Sequence, residues 1–356
     1  MGVKRGICGK ASYREYIRFK RLFILFLAAA TVLVALVAIA SGSSGLTIGQ
    51  VVATLAGNGT AQSNSIVFHI RLPRVATAIV AGFGLAVVGC VMQSVLRNPM
   101  ASASTIGVSQ GAAFGASFAI IVLGAGLQAQ TVVGMEFSSP YTISVCAFAG
   151  SMLSTVLILG LSKIKKVTPE TMILTGVALS AMFSGGTTLL QYFADDVKVA
   201  AVVFWTFGNL GSTSWREVLI MAAVVLVGIV FFMLNRWNYN AIQNGDSTAK
   251  GLGVNTERLR LASMVVCSLT ASVIVAYVGI INFIGMIAPH LIRRIIGSDY
   301  RYLLPASAMA GAMLLLLSDT VARLIVQPII LPIGAITSFL GAPLFMYLIF
   351  KGGARK

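Results

Sequence analysis

Residues able to do acid–base, nucleophilic or metal chemistry are few in this 356-residue chain and seldom grouped: ten Asp and Glu, two His and four Cys. Cys8, Cys90, Cys146 and Cys267 stand alone, without a CxxC pair or a neighbouring His, and read as free thiols. His69, beside Arg71, reads as a solvated or interface residue, and His290 as locally hydrogen-bonded rather than substrate-bound. Asp319 precedes Arg323 by one helical turn, so capping or pairing with that arginine is expected in place of proton relay. There is no HExxH, no GxSxG and no GxxxxGK(S/T) phosphate loop. Neither hydrolytic chemistry nor nucleotide binding by that loop is expected, and any ATP energy has to come from a partner.

The elements that position these residues must be membrane helices. The chain is 57% hydrophobic and 10% charged, with a mean hydropathy of +0.92. An average soluble domain is about one quarter charged, so this chain has too few ionised groups to cover a water-facing surface. Its 36 glycines suit close helix packing in lipid.

Ten stretches of 17 or more uncharged residues lie between the charges, and about 20 apolar residues cross a bilayer core. The stretch 199–215 contains Gly208-Asn209-Leu210-Gly211-Ser212-Thr213-Ser214 and reads as a turn-rich loop with room for a short helix. The stretch 261–292 is too long for one ordinary helix, with a break expected near Gly279. Spans are therefore expected near 22–41, 75–96, 103–125, 140–161, 172–193, 218–235, twice within 261–292, and near 303–318 and 333–350. With the N-terminus inside, only Arg71, Arg74, Lys198, Arg216 and Arg323 of the 26 Lys and Arg fall outside. The net charge of +16 is thus topological and no nucleic acid partner is expected. The second half of 261–292, Ile280 to Ile292, must be short, and a short or broken helix has to be enclosed by protein or line a wet cavity.

The expected layout is a basic cytoplasmic tail at 1–21, one ten-helix transmembrane domain at 22–350 and a cytoplasmic tail at 351–356. The run from Leu22 to Ala40 before Ser41 competes as a cleavable signal, but its 19 residues favour a retained first span. In the inner loop 240–254, Asp246 is placed to cap a short helix ended by Gly251 or Gly253, suited to docking in a groove of another protein.

Several segments together resemble the permease subunits of type II ABC importers, the family that imports iron-siderophore chelates, haem and cobalamin. They are Arg71-Leu72-Pro73-Arg74, then Gln93 with Arg97-Asn98-Pro99-Met100-Ala101, and Ile106-Gly107-Val108-Ser109-Gln110-Gly111. The loop Gly245 to Val254, Gly285-Met286-Ile287-Ala288-Pro289-His290-Leu291, Leu331-Pro332-Ile333-Gly334 and Gly341-Ala342-Pro343-Leu344-Phe345 follow in the family's order. The resemblance covers about residues 20–351, leaving the N-terminal 20 outside it.

It implies an all-α integral membrane protein of ten helices with both termini cytoplasmic, and short or broken helices lining a pathway at the interface of a homodimer. It also implies two ABC ATPase subunits inside, which use ATP and Mg, and an extracytoplasmic substrate-binding protein. By the resemblance, Gly245, Asp246, Ala249, Lys250, Gly251, Leu252 and Gly253 form the coupling loop that receives the ATPase stroke. Arg71, Arg74 and Arg323 would meet acidic residues of the binding protein, and Gln93, Asn98, Pro99, Gly107, Ser109, Pro289 and His290 are family motif positions. An outer gate is expected at Phe204, Trp205, Phe207, Gly208, Asn209 and Gly211. The expected function is inward passage of a metal chelate through the cell membrane by alternating access, with no cofactor or metal held by this chain. Haem or cobalamin is the alternative cargo and a secondary transporter the alternative class, disfavoured by the scarcity of intramembrane acids.

Overall fold

In the computed structural model the described residues are 10–42, 46–126, 141–164, 168–327 and 329–353. They are mostly helical, with no strand among them. Ten longer helices, α1–α10 in chain order, are Lys10–Ala40, Leu72–Val95, Val108–Ile121, Tyr141–Ile164, Pro169–Tyr192, Trp215–Leu234, Thr256–Val278, Ile284–Ile296, Tyr300–Leu324 and Ile333–Gly353. One lies at each expected span. Among the described residues seven helices are long and apolar enough to cross a membrane, whereas Val108–Ile121 and Ile333–Tyr347 form shorter apolar runs.

Helix boundaries follow local chemistry. The Thr168 hydroxyl accepts from the Thr171 amide ahead of Pro169, which opens α5. Ser214 and Glu217 form a capping box on α6, and Asn255 caps α7 by accepting from the Arg258 amide at 2.9 Å. The backbone leading into α2 is helical from Ala61, with a π-helical stretch Ser65–Arg71.

One expectation needs correction. Residues 10–21, expected as a tail, form the first turns of α1, while residues 1–9 and 354–356 lie outside the described residues, as does Cys8. Between α1 and α2 lie the short helices Ile48–Leu55 and Ala61–Asn64. The region 199–215 carries the short helix for which that loop has room, Asp196–Thr206, which begins before that stretch.

Helix α2 is the centre of the bundle, and most of its side chains are buried. It meets α8 so closely that a Cβ on Gly89 would overlap the Gly285 carbonyl, and it meets α9 where a Cβ on Gly82 would lie 2.6 Å from the Gly311 oxygen. These crossings require glycine, which explains much of the glycine content. The break in 261–292 falls where expected. α7 ends at Gly279 (φ +74°), and α8 begins after Phe283, a non-glycine residue at φ +68°.

Candidate functional site

The end of α2 and the start of α7 converge on the short helix Asp246–Gly251. Gly245 precedes that helix with φ +112°, a conformation that favours glycine. Asp246 does not cap it, contrary to expectation: no side chain caps the first turn, and the Asp246 carboxylate turns back to the bundle. It accepts from Arg260 Nη2 at 3.1 and 3.3 Å and lies 3.7 Å from Arg97 Nη2. Arg260 is buried and also donates to the Val95 carbonyl at 2.9 Å, so one guanidinium links the end of α2, the start of α7 and the short helix. Arg97 adopts a left-handed backbone (φ +48°) and donates to the Ile242 carbonyl at 3.5 Å.

About one turn deeper, Gln93 donates to the Met286 carbonyl at 3.1 Å and accepts from Arg293 at 3.0 Å, joining α2 to the broken helix α8. A chain of polar contacts therefore runs from the short helix through the end of α2 to α8. Asn98 closes a tight turn by accepting from the Met100 amide at 2.8 Å, and Pro99 after it is exposed. Gly107 (φ +82°) turns the chain into α3, where the Ser154 hydroxyl donates to the Ile106 carbonyl at 2.6 Å. Ser109 is buried on α3 and Pro289 inside α8. His290 packs edge-on against Phe345 of α10 at 5.9 Å, but its buried Nδ1 has no hydrogen-bond partner, in contrast to the local bonding expected.

The short helix presents Ser247, Thr248, Lys250 and Gly251 outward, followed by Leu252 at 68% exposure and Gly253. Ala249 differs from the others: it is fully buried in the main core and belongs to the anchoring face, not to an outward surface.

At the other end of the bundle, Arg71, Arg74 and Arg323 are brought together, but not as exposed charges. They are 5%, 8% and 6% exposed. Arg74 donates to Asp319 through Nε at 2.9 Å and Nη2 at 2.8 Å, and Arg323 Nε donates to the other carboxylate oxygen at 2.9 Å. The expected Asp319 to Arg323 pair is present, and Arg74, 245 positions away, shares the carboxylate. Arg71 donates to the Ile39 and Ala40 carbonyls at 2.7 and 3.0 Å, and Arg323 to those of Ser41 and Ala38 at 2.7 and 3.1 Å. Helix α1 ends there, leaving its last carbonyls without partners and the negative end of its dipole towards these cations. The arginines are thus a buried staple joining α1, α2 and α9, which corrects the reading of them as rim charges.

The loop expected as a gate is held by backbone contacts on both sides. The Asn209 amide donates to the Val278 carbonyl at 2.8 Å, and Phe207 O accepts from the Gly334 amide at 2.9 Å. Gly208 (φ +75°) and Gly279 lie against each other where α7 breaks. Phe204, at 72% exposure, meets Phe207 edge-on at 6.0 Å, while Trp205 is half-buried and the Gly211 amide donates to Asn209 Oδ1 at 2.8 Å.

Helix α5 is a feature that sequence reasoning missed. Among its 24 residues only Pro169, Met172, Gly176 and Phe183 are buried. Its open face mixes Leu174, Val177, Met182 and Leu189 with Ala178, Ala181, Ser184, Gly185 and Thr188. The signal was present as small and hydroxyl residues at intervals of three and four, a pattern typical of helices packed against other helices rather than lipid.

The model of the FecCD transport family matches residues 27–351. A Methanocaldococcus jannaschii protein described as an ABC transporter permease is 51% identical over 339 residues, covering 95% of this chain and 97% of that one. The Fe(3+)-citrate import system permease protein of Bacillus subtilis is 37% identical, with 94% of this chain and 96% of that one covered. A solved structure described as a metal-chelate type ABC transporter in an inward-facing conformation superposes with a TM-score of 0.80 at 30% identity, covering 92% of this chain and 98% of that chain.

Proposed function

The chain belongs to the FecCD transport family, and from that premise we propose that it is the multi-pass membrane subunit of an ATP-driven importer that passes an iron(III)-siderophore-type chelate inward. The observation that carries this reading is the helix Asp246–Gly251, exposed on one side and tied through Asp246 to Arg260 and Arg97 on the other. A push on its outer side reaches the end of α2 directly and, through Gln93, the broken helix α8. With no phosphate loop in this sequence, that push comes from two partner ATPases that bind ATP and Mg.

The open face of α5 supports a pathway shared with a second copy of the chain: its hydroxyls and small residues suit a wet, weakly interacting route or close helix contact better than lipid. The exposed Phe204 and Phe207, on a loop bound to the break in α7, would supply the bulk of an outer closure. The ferric citrate permease among the relatives supports a chelated metal as cargo. Selection among chelates falls to an external binding protein.

The purified chain should hydrolyse no ATP alone and should form a stable complex with its ATPase. Gly251→Trp should weaken that complex without impairing insertion, because Gly251 has open space where a side chain would go. An ATPase complex of undiminished affinity in that variant would remove the helix from the docking surface.

A further inference from the structure

The first three turns of α1 belong to no part of the transport reading, yet their rotation about the helix axis is fixed. Lys20 is 4% exposed, with its ammonium 4.2 Å from the Tyr16 ring centroid and 5.3 Å from that of Tyr302. The Tyr16 hydroxyl donates to the Ile296 carbonyl at 3.5 Å. Lys20 and Tyr16 therefore face the corner between α8 and α9. At about 100° per residue, Arg14, Arg18 and Arg21 then share a sector about 60° wide, centred about 150° from that packed face and so nearly opposite it.

All three arginines are exposed, and among the described residues none of them forms an ion pair. Glu15 is the sole acidic residue between positions 1 and 135, and it forms no ion pair among the described residues. The same sector continued along α1 carries Leu25, Val32 and Leu36, exposed by 64%, 60% and 54%. Since α1 is a membrane-spanning helix by length and composition, these apolar residues face lipid chains. The arginines form the continuation of a lipid-facing stripe past the end of the apolar run at Leu22.

The axial distances fit a headgroup layer. Arg21 adjoins the apolar run, Arg18 lies about 4.5 Å further along the axis and Arg14 about 10.5 Å further. The polar zone on each side of a bilayer core is about 5–8 Å deep, so two guanidiniums fall within it and the third lies just beyond, within about one Debye length.

We propose that Arg14, Arg18 and Arg21 form a binding surface for anionic phospholipid headgroups, which hold the first turns of α1 in the membrane interface. Each guanidinium presents several donors to a phosphate, and the net negative charge of the lipid, absent from a zwitterionic one, sets the preference. Anionic surfaces attract juxtamembrane basic residues by about 1 kcal/mol each, about fivefold in affinity per residue.

The test is lipid binding to the full-length chain in detergent, read by native mass spectrometry with palmitoyl-oleoyl phosphatidylglycerol and the matching phosphatidylcholine. The wild type should bind phosphatidylglycerol at least about tenfold more tightly. The triple variant Arg14→Gln, Arg18→Gln, Arg21→Gln should lose that preference, and the corresponding triple Lys variant should keep most of it. Equal binding of the two lipids by the wild type, or an unchanged preference in the Gln variant, would overturn the proposal. Should the Gln variant fail to insert, wild-type protein decides the matter: salt raised from about 50 to about 500 mM must weaken phosphatidylglycerol binding severalfold and leave phosphatidylcholine unaffected, and salt-independent binding refutes the surface.

Discussion

Replacing Asp319 by Asn leaves two guanidiniums, those of Arg74 and Arg323, without their shared anion at one end of the bundle. The carboxylate is 1% exposed, and the side chains of its partners Arg74 and Arg323 are 9% and 7% exposed, so water cannot take its place without opening the junction of α1, α2 and α9. Removing one member of a buried ion pair costs about 3–5 kcal/mol, chiefly because the remaining charge is left uncompensated. Asn keeps the shape and can still accept from one arginine, which puts Asp319→Asn near the lower end, about 3 kcal/mol. At about 2–4 °C per kcal/mol for a chain of this order of size, the melting temperature in detergent should fall by about 6–12 °C. The triple variant Asp319→Leu, Arg74→Leu, Arg323→Leu removes the charges together and should recover part of that loss, limited by the α1 carbonyls that Arg323 no longer satisfies. Differential scanning fluorimetry of these variants is the assay. A wild-type melting temperature for Asp319→Asn would show that the staple contributes nothing to stability, and a triple variant less stable than the single one would refute the argument from uncompensated charge.

Ala249→Trp should abolish stable expression because Ala249 is buried, whereas Leu252→Glu, at 68% exposure, should insert normally and impair only ATPase binding; membrane yield and co-purification separate the two. Gln93→Leu removes both hydrogen bonds between α2 and α8 and leaves Arg293 without that acceptor, so a loss of about 1–3 kcal/mol in thermal stability is expected. Burial acts to raise the Asp299 carboxyl, but hydrogen bonds from the Arg301 side chain and amide and from Asn240 outweigh it and hold it below its ordinary value. The resulting stabilisation is fully present above the unfolded value of about 4 and is lost as pH falls through the lower folded one; Asp299→Asn should flatten the melting profile below about pH 4.

What the sequence shows best is whatever one stretch of chain determines. The 32-residue run 261–292 could not be one helix, and Gly279 marked its break. The short helix after Gly245 was legible from Asp246 and the glycines that follow. Pairings between distant segments were not legible in that way. Spacing alone linked Asp319 to Arg323, but only the crossing of α2 and α9 brings Arg74 to the same carboxylate. Charges assigned to the outer face were expected in water because membrane topology tells which side a residue is on, not whether another helix end covers it. Ala249 illustrates a finer limit: in a six-residue helix without hydrophobic periodicity, the inward side was set by Asp246 turning towards Arg260 and Arg97. The open face of α5 escaped notice because small residues look alike whether they pack inside one chain or against another.

Uptake of radioiron as ferric citrate into proteoliposomes containing the chain, its ATPase and its binding protein tests the central claim most directly. The expected result is accumulation that requires ATP hydrolysis, stops with a non-hydrolysable analogue and is lost in Gly251→Trp while the protein remains inserted. Uptake at the same rate without the ATPase, or in Gly251→Trp, would contradict an ATP-driven importer coupled through the helix Asp246–Gly251.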